Sequence, residues 1–172
     1  MKKYLLSITS LLFSALIIAQ PSVTVLGEKV KITFPGNASI TSNEGGIKVF
    51  EYSKDSITIY AAMSMDVSIM GLQAETIKNM GDGIWNQMKS GILQQMSSGS
   101  VKKEEFVQFK GKKCLKLEVD ISKANFEEIK GNNIYSLNFF SGSNFYQISV
   151  LSRSNFSKLK EAEDFFNTLV IE

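Results

Sequence analysis

The single cysteine, Cys114, is the residue whose type most directly suggests reactivity, and it lies among three lysines. Lys112, Lys113 and Lys116 would lower the pKa of its thiol if they converged on it, and the thiolate is the nucleophilic form. The chain contains no histidine, so no imidazole is present to activate a cysteine or serine nucleophile. A small residue at the start of a strand is therefore the favoured interpretation. With one cysteine, no disulfide can form within the chain.

Methionine thioethers are soft ligands for Cu(I), and six methionines fall between residues 63 and 96. Met63 and Met65 share the apolar face of a predicted strand. The later ones lie on the apolar stripe of a predicted helix: Met80, Met88 and Met96. No histidine or second cysteine reinforces a metal site. Methionines that fill the core, Met70 among them, are favoured, and the sequence predicts no metal and no cofactor.

Paired carboxylates could serve a glycosidase, which needs two of them about 5–9 Å apart across a cleft. The pairs here are Glu104-Glu105, Glu127-Glu128 and the group Glu161, Glu163 and Asp164. Neighbours on a strand point to opposite faces, and the last group is typical of a solvated helix face. The sequence Gly81-Asp82-Gly83 lacks the spacing of a phosphate-binding loop. We therefore predict no catalytic residues and no enzyme.

Aromatic residues are dense near the C-terminus, and together with Trp85 they are the candidate ligand or partner surface. The residues of this surface are Tyr135, Phe139, Phe140, Phe145 and Trp85. Because alternate strand positions face opposite sides, some of these rings must lie off the main core face. They could line an apolar groove for a ligand or a protein partner. The favoured alternative is that a terminal helix packs on them through Phe165 and Phe166.

Two amphipathic helices are predicted to position these side chains. In the stretch Gln73–Met96, apolar residues recur at steps of three and four, which predicts one long helix. A second helix is predicted from about Asn155 to Leu169, with Ser154 or Ser157 as its cap. Three glycines weaken the long helix by about 1 kcal/mol each relative to alanine. Packing on a sheet must therefore hold it.

Strands are predicted around the long helix from alternating apolar residues and turn signals. The predicted strands are 23–26, 30–34, 47–52, 56–65, 106–109, 114–121, 133–140 and 145–151. Residues 37–46 are predicted to form a loop, and residues 122–132 a loop with a helical turn at 126–129. Strands joined by short hairpins are antiparallel. The fold class is therefore α+β: an antiparallel sheet of about six to seven strands, covered by one long helix and a C-terminal helix in an α/β/α sandwich.

The first nineteen residues have the three parts of a secretory signal peptide. Lys2 and Lys3 precede an apolar run from Leu5 to Ile18, and Ala19 offers a cleavage point. The run is short and contains four hydroxyl residues, which disfavours the alternative of an uncleaved membrane anchor. The mature chain would then be a single domain, residues 20–172. Two of the 19 basic residues lie in this segment, so the others balance the 17 acidic residues, and no nucleic-acid partner is indicated.

Several short motifs resemble the PsbP-like (PsbP/DcrB) family of exported α/β/α domains. They are Phe34-Pro35-Gly36 after a strand, Gly111 between two later strands, Tyr146, and the closing 165–169 helix, Phe-Phe-Asn-Thr-Leu. The segment around Ala19-Gln20 also resembles signal peptides common in Bacteroidota. The family resemblance implies an extracytoplasmic accessory or binding protein and carries over no catalytic residues.

These observations predict an exported, periplasmic or secreted domain that is not catalytic. We expect it to bind a protein or another component of the cell envelope, without a membrane span after cleavage. The alternative is a carrier that holds a small apolar ligand between the long helix and the sheet.

Overall fold

The computed structural model describes residues 20–95, 99–121, 132–153 and 157–172. The strands in these ranges are β1 (Ser22–Gly27), β2 (Val30–Phe34), β3 (Ser39–Glu44), β4 (Ile47–Ser53), β5 (Thr58–Asp66), β6 (Ser100–Phe109), β7 (Lys112–Asp120), β8 (Asn133–Ser141), β9 (Asn144–Ser152) and β10 (Val170–Ile171). The helical segments are a 3₁₀ turn (Val67–Met70), α1 (Ala74–Asn79), α2 (Asp82–Gln95) and α3 (Leu159–Asn167).

Seven strands form one antiparallel sheet in the order β3-β4-β5-β9-β8-β7-β6. The predicted hairpin across residues 141–144 connects β8 to β9, with Phe140 opposite Phe145. β5 pairs with β9, with Met65 opposite Phe145, so the two halves of the chain meet at the centre of the sheet. The α+β class and the antiparallel sheet of six to seven strands are confirmed.

A second, three-stranded sheet has the order β1-β2-β10. β10 follows α3 and places Val170 opposite Lys31 of β2. β10 was not predicted from the sequence, because two residues are too few to show an alternating pattern.

Two hydrophobic clusters lie on opposite faces of the large sheet, since neighbouring strand residues alternate between them. Cys114 belongs to the first cluster and Leu115 to the second. The first cluster joins the sheet to the small sheet and to α3, through Ile32, Phe34, Phe165 and Phe166. The second joins it to α1 and α2, through Ile77, Ile84, Trp85 and Ile92.

The stretch Gln73–Met96 is not the one long helix that was predicted. α1 ends at Asn79 and α2 begins at Asp82. Between them, Gly81 has a φ of 54°, in the left-handed region that glycine adopts without steric cost. The apolar periodicity therefore identified the buried face of this segment but not its break.

Three further boundaries differ from the predictions. β6 begins at Ser100, whereas the strand was predicted to begin at Phe106. Residues 39–44, predicted as loop, form β3, because backbone pairing with β4 supplies hydrogen bonds that a polar sequence does not reveal. The C-terminal helix begins at Leu159 rather than near Asn155. Other predictions lie outside the described residues: the signal peptide, Met96, the carboxylates at 127–128, the helical turn at 126–129 and a cap at Ser154.

Candidate functional site

A cleft with a volume of about 760 Å³ lies at one end of the large sheet. Its walls come from the β1–β2 turn and from the ends of several strands of the large sheet. The polar residues among its lining are Glu28, Lys29, Lys48, Ser64, Asp66, Lys112, Ser141, Asn144, Tyr146 and Glu172. We call this cavity the polar cleft.

Antiparallel pairing explains why these residues meet. Asp66 at the end of β5 is opposite Asn144 at the start of β9, so the end of β5 and the β8–β9 turn share one end of the sheet. The β3–β4 turn lies at the same end, because Ile47 is opposite Met65. Gly142 makes the β8–β9 connection tight with a φ of 62°.

Gly27 and Tyr146 line the polar cleft where the small sheet meets the large one. A Cβ atom built on Gly27 would lie 2.3 Å from the Tyr146 hydroxyl oxygen, so the small sheet approaches the large one as closely as glycine permits. Burial raises the pKa of the Tyr146 phenol, and the nearby carboxylate of Glu28 raises it further. The hydroxyl therefore stays protonated and can donate a hydrogen bond into the cleft.

Charges of both signs line the polar cleft. Lys29, Lys48 and Lys112 form no ion pair with any residue that the structure describes. The Asp66 carboxylate accepts hydrogen bonds from the Ser68 backbone and hydroxyl, which lower its pKa. Ammonium, carboxylate and hydroxyl groups side by side suit recognition of a polar peptide segment.

A smaller cleft of about 300 Å³ opens beside the break between α1 and α2. It is lined by Ile77, Ile84, Trp85 and Phe140, with Lys78 and Lys113 at its rim, and we call it the Trp85 groove. The Trp85 ring lies 5.2 Å from Phe140 and 5.7 Å from Phe106, with edge-to-face geometry in both contacts. Trp85 itself is only 7% exposed.

The predicted aromatic surface is divided between the two faces of the sheet. Tyr135 and Phe139 are buried in the first cluster, where Phe165 and Phe166 of α3 also pack, as the favoured alternative predicted. Phe145 is buried in the second cluster and supports Phe140 at 5.2 Å. Of the five predicted residues, Trp85 and Phe140 line the Trp85 groove, and Tyr135 lines a separate small cavity of about 70 Å³.

A cluster centred on Glu161 was missed by the sequence analysis, which assigned this residue to a solvated helix face. Its Oε1 accepts hydrogen bonds from the Lys54 ammonium at 2.6 Å and from the Tyr60 hydroxyl at 2.5 Å. Lys158 lies 3.1 Å from Oε2. Lys158 is an i,i+3 neighbour of Glu161. Lys54 and Tyr60 come from the β4–β5 hairpin, 107 and 101 residues away, so no local pattern in the sequence could have revealed those two donors.

The donors around Glu161 favour the ionised form of its carboxyl group. Burial would raise the pKa of Glu161, but hydrogen bonds from Lys54, Tyr60 and Lys158 outweigh it and bring the pKa to about 2. Burial, and then the bond to Glu161, raise the pKa of Tyr60. A carboxylate held this firmly in its ionised form is a poor general base at neutral pH. The cluster joins β5 to α3.

The sulfur-containing residues are mostly interior. Cys114 is buried in the first cluster, and burial raises its pKa to about 11, although Lys116 and Lys112 act in the opposite direction. Met63, Met65, Met80 and Met88 belong to the second cluster or pack against it. Met70 is the exception to the prediction of core methionines, since it is exposed at the end of the 3₁₀ turn.

Neither a metal cluster nor a membrane-spanning helix is evident in the described ranges. No three Cys, Asp or Glu side chains there converge closely enough to hold a metal ion. Among the helices of those ranges, none combines the length and the apolar character needed to cross a bilayer.

Comparison with known proteins finds solved structures with a similar fold. No protein family and no curated protein sequence matches the chain. The solution structure of cyanobacterial PsbP (CyanoP) from Synechocystis sp. PCC 6803 matches with a TM-score of 0.54 at 8% identity, over 92% of this chain and 96% of that one. The resemblance drawn from the sequence is confirmed at the level of fold: the chain has a PsbP-like fold.

Two other solved structures are more distant. A crystal structure from Bacteroides thetaiotaomicron matches with a TM-score of 0.49 and 14% identity, over 91% of this chain. This chain covers 49% of that protein, about half of its length. A protein of unknown function from Pseudomonas aeruginosa matches with a TM-score of 0.45 and 10% identity, over 86% of this chain and 91% of that one.

Proposed function

We propose that this chain is an exported, non-catalytic accessory domain of the cell envelope that binds a protein partner in the polar cleft. The observation that carries the proposal is the convergence of Lys29, Lys48 and Lys112 on a 760 Å³ cleft without ion-pair partners in the described part of the chain. Lysine ammonium groups that are unpaired can bind carboxylates of a partner without first breaking an internal ion pair.

Two carboxylates of α3 support a non-catalytic role, because each is already held by hydrogen bonds or an ion pair within the fold. Glu161 is held by three donors, and Glu163 of α3 is paired with Lys116 at 2.7 Å. These carboxylates stabilise the packing of α3 on the sheet. The signal-peptide pattern of residues 1–19 supports a partner in the envelope, and the PsbP-like fold is compatible with an accessory domain.

Site-specific photocrosslinking in the native host tests this proposal. A photoreactive amino acid replaces Lys48 or Glu28, both exposed at the polar cleft. The control carries the same amino acid at Lys160 of α3, whose side chain is 90% exposed. We expect a discrete protein adduct from the two cleft positions and none from the control. Adducts of equal yield at all three positions, or at none, would contradict the proposal.

Export is tested separately by recovering the protein from the periplasm or the medium and measuring its intact mass. A chain that begins at Gln20 is expected. Recovery of the uncut chain from the membrane fraction would instead support the anchor alternative.

A second candidate is the carriage of a small apolar ligand in the Trp85 groove. The observation in its favour is the pairing of Trp85 and Phe140 at a cleft of about 300 Å³, near the lower limit for small-molecule sites. Trp85 is the only tryptophan in the chain, so intrinsic fluorescence reports on this groove alone. Titration with decanoate is expected to shift its emission, and native mass spectrometry should show a bound mass. An unloaded protein with unchanged emission would contradict the carrier hypothesis.

A further inference from the structure

β6 lies at one edge of the large sheet. It has ten residues, and among the described residues no strand pairs with its outer side. Most of its side chains are exposed. The outer N–H and C=O groups of such a strand can pair with a further strand.

Pairing with β7 fixes which way each side chain of β6 points. Glu104 is opposite Leu117, whose side chain packs toward the helices, so Glu104 lies on the helix side of the sheet. Lys103 and Glu105 lie on the other side, with α3. They form an ion pair of 3.2 Å within the strand, with side chains 64% and 50% exposed.

We propose that β6 pairs antiparallel with β6 of a second copy of this chain, with Glu104 on the two-fold axis. A two-fold axis perpendicular to the sheet places the same face of both copies on the same side of the joined sheet. Directly opposite residues must then belong to the same face. When Glu104 lies on the axis, Lys103 of one copy is opposite Glu105 of the other. These two residues belong to the same face and carry opposite charges.

On the α3 side of the joined sheet, Lys103 is opposite Glu105 of the second copy, and Glu105 is opposite Lys103 of the second copy. The two-fold symmetry therefore produces two equivalent ion pairs between the copies. On the helix side, the two Glu104 residues face each other, but each is already paired with Lys89 of its own α2 at 2.9 Å. The only like-charge contact of this register is therefore neutralised in advance.

Beyond the charges, the register matches apolar side chains. The β6–β7 pairing skips Lys102, which makes a β-bulge between Val101 and Lys103. Counting across this bulge places Phe106 opposite Val101 of the second copy. Both belong to the helix side and both are exposed in the single chain, at 44% and 36%. Pairing would cover the two largest apolar side chains of the strand that are exposed.

Neighbouring registers fit less well. An axis at Lys103 places this lysine opposite itself, and an axis at Glu105 places two glutamates in contact and Lys103 opposite Val107. Since exposed ion pairs contribute little each, we expect a weak dimer that dissociates with rising salt.

Sedimentation velocity on protein purified from the cells that make it tests the dimer. Lys103→Glu or Glu105→Lys is expected to weaken self-association about tenfold, because two attractive contacts become repulsive. The control Lys160→Glu has the same charge change as Lys103→Glu but lies on α3, and it should associate as the native chain does. An equimolar mixture of the two β6 variants should regain association, because each supplies the charge that the other lacks. A native chain that stays monomeric at every concentration, or variants that associate unchanged, would overturn the proposal.

Disulfide trapping tests the register directly. Two Cys side chains introduced by Glu104→Cys would face each other at the axis, where Cα atoms of an antiparallel pair are about 4.5–5.5 Å apart. The control Gln108→Cys lies on the same strand and face, yet its two copies would be about 26 Å apart at 3.3 Å per residue. Mild oxidation should give a covalent dimer with the first variant alone. Equal crosslinking of both, or of neither, would overturn the proposed register.

Discussion

The hydroxyl of Tyr60 donates a hydrogen bond of 2.5 Å to Oε1 of Glu161, which joins β5 to α3 across 101 residues of sequence. Lys54 and Lys158 bind the same carboxylate, so one acid fixes the C-terminal helix to a strand of the large sheet and to the loop after β4. The first hydrophobic cluster lies directly beneath this network, with Phe165 at 5.0 Å from the Tyr60 ring.

Glu161→Gln is expected to lower the free energy of unfolding at neutral pH. The pKa of Glu161 is depressed to about 2, so its ionised form stabilises the fold at every pH above the unfolded pKa of a glutamate. After allowance for solvent screening, we expect a loss of about 1–2 kcal/mol. Urea denaturation at pH 7 measures it.

The same network predicts the pH dependence. The stabilisation is lost as pH falls from the unfolded pKa, about 4.3, through the folded pKa. The native chain should therefore lose stability between about pH 5 and pH 2 more steeply than Glu161→Gln, and the two curves should converge at the acid end. Parallel curves would show that Glu161 contributes nothing through its charge.

Trp85→Ala is expected to lower the free energy of unfolding by about 3–5 kcal/mol, because Trp85 belongs to the second hydrophobic cluster. The ring is buried and contacts Phe106 and Phe140, so its removal leaves a cavity between α2 and the sheet. Chemical denaturation of the variant gives the value. As a control, Ile69→Ala changes an exposed side chain and should stay within about 0.5 kcal/mol of the native chain. A loss below about 1 kcal/mol for Trp85→Ala would show that the ring contributes little to the core.

Gly27→Ala should destabilise the contact between the two sheets by about 1–3 kcal/mol, because its Cβ would overlap the Tyr146 hydroxyl oxygen. The next atom of the tyrosine ring is 3.4 Å from that Cβ, so removing the hydroxyl relieves most of the overlap. The double variant Gly27→Ala/Tyr146→Phe should therefore be more stable than Gly27→Ala. Thermal unfolding of both singles and the double tests this non-additivity, and additive losses would contradict the contact.

Gly81 and Gly83 form a matched pair that tests the helix break. Neither glycine has neighbours within 4 Å of a built Cβ, but only Gly81 has a positive φ. Gly81→Ala should therefore destabilise by about 1 kcal/mol, whereas Gly83→Ala, at a helical position, should stabilise by about 0.5–1 kcal/mol. Equal and favourable effects at both positions would indicate a continuous helix.

Cys114 should be inert toward thiol reagents in the folded protein at about pH 8. Burial raises the pKa of its thiol to about 11, and the side chain is fully enclosed in the first cluster. Reaction with a chromogenic disulfide is expected only after denaturant is added. Rapid reaction of the native chain would show that the thiolate is accessible.

The sequence by itself determined the features that depend on local periodicity. Leu115, Leu117 and Val119 alternate with polar residues, and they are buried together in the second cluster as predicted. The stripe of Ile77, Ile84 and Trp85 faces the sheet, because a helical spacing defines a buried face even where the helix is interrupted. The α+β class followed from these patterns and from the hairpin turns.

Tertiary structure decided which side chains meet. Glu161 was predicted from the sequence to be solvated, because Tyr60 and Lys54 approach it only when α3 packs on the sheet. β3 and β10 depend on hydrogen bonds to a partner strand, which no polar or two-residue segment discloses. The polar cleft likewise exists because antiparallel register brings strand ends from distant parts of the chain to one end of the sheet. Periodicity is a local property of the chain, whereas these contacts arise between residues that are far apart in sequence.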